Sequence, residues 1–115
     1  MSTRITLFVT LALIVIAVAF SAAVYSQLPE QVASHWDVNG QVNGYMSRFW
    51  GAFLMPLISL AMLGLFLLIP NIDPLKANIA KFRAAFNSFI VLIIVFLLYV
   101  HALTIWWNLG HQDFR

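Results

Sequence analysis

Residues 84–112 read AAFNSFIVLIIVFLLYVHALTIWWNLGHQ, 29 residues without an Asp, Glu, Lys or Arg. A helix rises 1.5 Å per residue, so about 20 apolar residues cross the hydrocarbon core of a bilayer. Two further stretches meet that length: 5–29 and 49–72 are free of charge over 25 and 24 residues. The charge spacing therefore predicts three membrane helices, at about 5–25, 49–69 and 89–107, joined by loops at 26–48 and 70–88. The chain, 1–115, reads as a single three-span membrane domain.

Composition points the same way. Hydrophobic residues make up 63% of the chain and charged residues 9%, against roughly 45–50% and about 25% in a soluble domain. A soluble fold of 115 residues would lack the polar surface to cover itself. Disorder is excluded by the apolar content, and a large catalytic domain by length. Nucleic acid is not an expected partner, because only six Lys and Arg stand against four Asp and Glu. With no Cys there is no disulfide, thiolate metal site or cysteine nucleophile.

Arg4 followed by an apolar run and Ser21-Ala22-Ala23 has the outline of a signal peptide. The run is about twenty residues, however, where a signal core has roughly 7–15, and a retained helix is expected. Arg4, Lys76, Lys81 and Arg83 lie on one side of the three spans, Arg48 and Arg115 on the other. The excess of positive charge places the N-terminus and the second loop in the cytoplasm, and the first loop and the C-terminus outside. Tyr25, Tyr45, Trp50, Trp106 and Trp107 then all fall at the outer interface, where Trp and Tyr concentrate.

Within the spans, Ala17, Ala19, Ser21 and Ala23, and then Gly51, Ala52, Ser59, Ala61 and Gly64, are small residues that let helices approach in lipid. They suit packing within the bundle or a homo-oligomer seam. Pro56 removes a backbone donor and is expected to kink the second span. The absence of charge in the spans argues against an ion pump. His101, Thr104 and Asn108 share one helix face, with an interhelical hydrogen bond as the expected role of that stripe.

In the second loop, Asp73 and Pro74 suit a helix start, and Leu75, Ile79, Phe82 and Phe86 recur with helical spacing. A short amphipathic helix that runs into the third span is expected there, with Lys76 and Lys81 near anionic headgroups. The first loop carries two turn dipeptides, Asn39-Gly40 and Asn43-Gly44, and a small hairpin over 35–38 is expected. Val32, Trp36, Val38 and Tyr45 are its candidate contacts to the helix ends. His35, His101 and His111 share this side with Glu30 and Asp37. Imidazoles with a carboxylate can bind zinc, but no ligand-spacing motif is present. Metal binding is left open, no cofactor is expected, and His35 and His101 read either as one shared site or as two structural histidines.

The loop pattern Leu28-Pro29, His35-Trp36, Gly40, Tyr45, with Pro56 beyond it, resembles domain of unknown function 1648. Ile72-Asp73-Pro74, Asn78, Lys81 and Phe82 resemble it too, so the likeness runs over about 5–107. That domain forms the N-terminal half of SdpI-like immunity proteins, bacterial membrane proteins that protect a cell from a secreted peptide toxin, some of which also signal to a repressor. Those proteins continue into further spans with a Gly-x-Arg-Thr-Pro-type motif that this sequence lacks, so the resemblance implies the first module alone.

The reading is an all-α integral membrane protein with three transmembrane helices, a structured outer loop and a short cytoplasmic amphipathic helix. Its expected place is the bacterial inner membrane. The expected function is binding of a peptide toxin or a membrane-protein partner through the outer loop. Trp36 and Tyr45 would anchor the partner, and Glu30, His35, Asp37 and His101 would give polar specificity. A structural subunit of a larger membrane complex is the alternative. An outer metal-dependent hydrolase ranks last, because no catalytic motif is present and the chain does not read as an enzyme.

Overall fold

A computed structural model describes residues 2–72 and 81–111, with backbone only for 70–72. Three long helices and one two-stranded sheet account for them: α1 (Thr3–Val24), a 3₁₀ turn (Tyr25–Gln27), β1 (Gln31–Trp36), β2 (Val42–Ser47), α2 (Arg48–Ile72) and α3 (Arg83–Asn108). All three helices are long and apolar enough to cross a membrane. The expected amphipathic helix, with Asp73, Pro74, Lys76 and Ile79, lies outside the described residues. The all-α expectation is corrected by the sheet.

Helix ends follow local chemistry. Ser2 caps α1, its Oγ accepting from the Ile5 amide at 3.1 Å. Pro29 cannot extend the 3₁₀ turn, and the chain becomes extended at Leu28. α3 closes on Gly110 in the left-handed region (φ 105°), its N–H donating to the Trp107 carbonyl at 3.1 Å. α2 is one helix through the buried Pro56.

The helices pack up–down–up and bury polar groups along with apolar ones. Midway, Ile14, Leu63, Ile90 and Ile94 form an apolar cluster. Thr6, Thr10, Ser21, Ser59, Asn87 and His101 are also buried, while Phe8, Val15, Leu92 and Phe96 are exposed. This is the pattern expected where lipid, not water, is the surrounding solvent. Thr10 spends its hydroxyl on the Thr6 carbonyl at 2.8 Å. At the end away from the sheet, Arg83 Nε and Asn87 Nδ2 both donate to Thr3 Oγ1, at 3.0 and 3.2 Å. Those bonds hold the first turns of α3, whose polar residues face α1. Of the small residues, Ser21, Gly51, Ala52 and Ser59 are buried, whereas Ala19, Ala23, Ala61 and Gly64 face outward.

The hairpin is longer than the sequence suggested. β1 and β2 pair antiparallel from Gln31↔Ser47 to Trp36↔Val42. Asn39-Gly40 forms the turn as expected, with Gly40 at φ 77°. Asn43-Gly44 does not turn and lies inside β2, a correction with a steric reason. His35 pairs with Gly44, and a Cβ there would stand 2.9 Å from His35 Nδ1. The register slips on both sides of His35. Ser34 is the extra residue on β1 and Asn43 the extra residue on β2, so the two bulges compensate. Bulges of this kind re-aim a side chain, and here the residue between them is His35.

Candidate functional site: the docked hairpin and the cavity beneath it

Apolar and polar contacts fasten the hairpin to the helices. Val32 is fully buried, and its side chain fills a notch over Gly51 at the start of α2, where a Cβ would come within 2.6 Å of the Val32 Cβ. Leu28, Ala52 and Ile105 complete that apolar cluster. A further contact is polar. Asn108 at the end of α3 treats Ala33 as a neighbouring strand would. Its Oδ1 accepts from the Ala33 amide at 2.9 Å, and its Nδ2 donates to the Ala33 carbonyl at 3.0 Å. Nδ2 also reaches the Thr104 carbonyl at 2.8 Å, which fixes the amide plane. An open edge of β1 is thereby closed by a side chain. Arg48 adds a looser tie, its Nε donating to the Pro29 carbonyl at 3.5 Å with the guanidinium over the Tyr25 ring.

The polar stripe on α3 faces into the bundle. His101 is 3% exposed, and its Nε2 lies 2.7 Å from Ser21 Oγ, a buried hydrogen bond between α3 and α1. Thr104 spends its hydroxyl on the Val100 carbonyl at 2.9 Å.

Beneath the hairpin, between α2 and α3, is a cavity of about 250 Å³. His35 and His101 both line it, so two histidines distant in sequence meet at one space. Ser34 and Thr104 add polar atoms, and Met46, Trp50 and Met55 add an apolar wall. His35 is exposed and stands at the mouth, its Nδ1 2.9 Å from Ser34 Oγ.

The other expected site residues are placed elsewhere. Glu30 is exposed ahead of β1 and does not line the cavity. Asp37 holds the turn, its Oδ1 accepting from the amides of Asn39 and Gln41, both at 2.9 Å. Tyr45 is exposed on β2 opposite Ala33, and Val38 is fully exposed and makes no helix contact of the expected kind. Trp36 does: it is half-buried, edge-on to Trp107 with ring centroids 5.4 Å apart. His111 stands apart, stacked on Trp106 at 3.8 Å. Among the described residues no three His, Cys, Asp or Glu side chains form a group able to hold a metal.

Sequence reasoning did not single out Ser21, Gly51 or the two methionines as members of this site. Ser21 and Gly51 were visible only as small residues, and nothing in the spacing of Met46 and Met55 marks a shared cavity across two elements.

Residues 12–60 match the family model described as Domain of unknown function (DUF1648). The matched segment takes in most of α1, the whole hairpin and the first half of α2, and stops short of α3. No curated protein and no solved structure matches the chain.

Proposed function

We propose that this chain, carrying a DUF1648 segment that spans its hairpin, is a bacterial inner-membrane recognition module. In this reading the N-terminus and Lys81–Arg83 side are cytoplasmic, and the hairpin faces outward with the C-terminus. It binds a peptide or a membrane partner, as the first module of SdpI-like immunity proteins would. The observation that supports it is the contrast within the hairpin. One side is pinned through Val32, Ala33 and Trp36, while Val38 and Tyr45 are left exposed on a fixed scaffold. Exposed side chains on a rigid base bind with little ordering cost.

The test is survival of bacteria expressing the full chain when challenged with a secreted peptide toxin of the kind SdpI-like proteins counter. The chain is expected to protect, and Val38→Ser with Tyr45→Ala to lose at least tenfold of that protection while inserting normally. Equal survival with and without the chain would overturn the immunity reading. A reporter active only outside the cytoplasm, fused after Arg115, is expected to be active and would reverse the topology if silent. A structural role in a larger complex draws on a different observation, the outward-facing Ala19, Ala23, Ala61 and Gly64, which suit close helix approach.

A further inference from the structure

The cavity beneath the hairpin has a donor set that partner recognition does not use. Its lining residues include two histidines, His35 and His101, and two methionines, Met46 and Met55. The four come from four different elements: β1, α3, β2 and α2. Each imidazole is held through one ring nitrogen by a serine hydroxyl, Ser34 at His35 Nδ1 and Ser21 at His101 Nε2. The opposite nitrogen of each ring has no hydrogen-bond partner among the described residues. Where the ring N–H donates to such an oxygen, the ring is oriented and the other nitrogen is left as a metal donor, as in the outer shell of metal-ligating histidines. No carboxylate lines the cavity, so it offers nothing to Mg²⁺ or Ca²⁺, which need oxygen ligands. Thioether with imidazole is the set that selects Cu(I).

We propose that the cavity binds a soft monovalent cation, Cu(I) or its analogue Ag(I), through Met46 and Met55 with His35 and His101. At about 250 Å³ the space exceeds a single ion, so the ligands close on it. Methionine, unbranched with three rotatable bonds, can move to do this without backbone change. The ion would tie the hairpin, through His35 and Met46, to the helices, through Met55 and His101. The inference is independent of the partner reading, because Val38 and Tyr45 lie outside the cavity.

The experiment is calorimetric titration of Ag(I) into the purified full chain in detergent, in chloride-free buffer, with hydrogen exchange of the hairpin followed alongside. One equivalent is expected to bind, with slower exchange over 31–47. Met46→Leu with Met55→Leu keeps volume and apolarity and is expected to weaken binding at least tenfold. His35→Gln is expected to weaken it as well. Met62→Leu and His111→Gln change groups outside the cavity and are expected to bind like the parent. Parent binding no tighter than that of the double leucine variant would overturn the proposal, as would loss of binding on His111→Gln alone. Tighter binding of Zn(II) than Ag(I) would overturn the soft-cation assignment.

Discussion

Midway along the bundle Ile14, Leu63, Ile90 and Ile94 meet in a wholly apolar cluster, whereas at the hairpin end the joints are an amide ladder, a serine–histidine pair and a valine in a glycine notch. The apolar cluster would dominate a soluble protein. In lipid it gains little from burial, since the tails that surround an unpacked helix are as apolar as the neighbouring helix. What it supplies is close packing. The hairpin end lies where water begins, and there the burial of Val32 and the pairing of backbone groups regain their full value. The two regions should therefore respond differently to substitution, the hairpin end steeply and the middle weakly.

The largest expected effect comes from Asn108→Ala. It removes three hydrogen bonds and strands the Ala33 amide and carbonyl. Each buried unpaired polar group costs about 1–3 kcal/mol, so the hairpin should lose about 2–4 kcal/mol against local opening. Native-state hydrogen exchange of the full chain in micelles reads this directly, as a fall of roughly thirtyfold to a thousandfold in protection over 31–36 at 1.4 kcal/mol per decade. Amides of Ile90 and Ile94 should be unchanged. Equal loss at both places would show that the hairpin and the bundle open as one unit and would end the contrast.

Next is Gly51→Ala. The added carbon meets Val32 at 2.6 Å against a helix backbone that cannot yield, so the hairpin has to lift. Overpacking of this kind costs about 1–3 kcal/mol. Gly64→Ala is the companion, because nothing lies within 4 Å of the Cβ it adds. It should be neutral or stabilising, helped by alanine's helix propensity. Similar losses from both would mean that general helix behaviour, and not the notch, governs the result.

How far the sequence foretold this architecture differs between the same two regions. The three helices were legible because lipid demands long charge-free runs, and the runs were there. What faces the first turns of α3 was not, since the contact of Arg83 and Asn87 with Thr3 joins residues some 80 apart and leaves no mark in hydropathy. The Asn39-Gly40 turn was legible from φ preference. The strands around it were not: β1 buries Val32 and Ala33 in succession, and β2, though its exposure alternates, carries Gly44 at an inward position where a strand pattern would show an apolar residue. The polar stripe of His101, Thr104 and Asn108 was visible as a face. What it would bond to, Ser21 and Ala33, depends on helix rotation and hairpin docking, which no spacing rule gives.

Trp107→Leu probes the aromatic joint. It removes the partner that Trp36 meets edge-on at 5.4 Å while keeping an apolar side chain there. Aromatic pairs contribute about 0.5–1.5 kcal/mol beyond their area, so exchange at Trp36 should quicken by up to roughly tenfold. Leu92→Ala, on the exposed surface of the same helix, should leave Trp36 unaffected.

The smallest effects test the contrast most sharply, because they set a polar contact against an apolar one of similar size. Ser21→Ala removes the 2.7 Å bond to His101 and little volume. Interhelical hydrogen bonds in membranes average about 0.6 kcal/mol and reach about 1.7, since a separated helix finds other partners for the same groups. His101 Nε2, 3% exposed as a residue, would be left with no close acceptor or donor, so the upper half of that range is expected. Ile94→Val, at the fully buried centre of the apolar cluster, removes one methylene. In a soluble core that costs about 0.5–1.5 kcal/mol, part of it the transfer of the methylene out of water. In lipid the transfer part vanishes and only lost packing remains, so the change should fall below that of Ser21→Ala. The measurement is steric trapping or unfolding in mixed micelles of the two variants side by side. If Ile94→Val proves the more destabilising, tight packing along the middle holds the helices together, and the serine–histidine pair serves instead to set the position of His101 at the cavity.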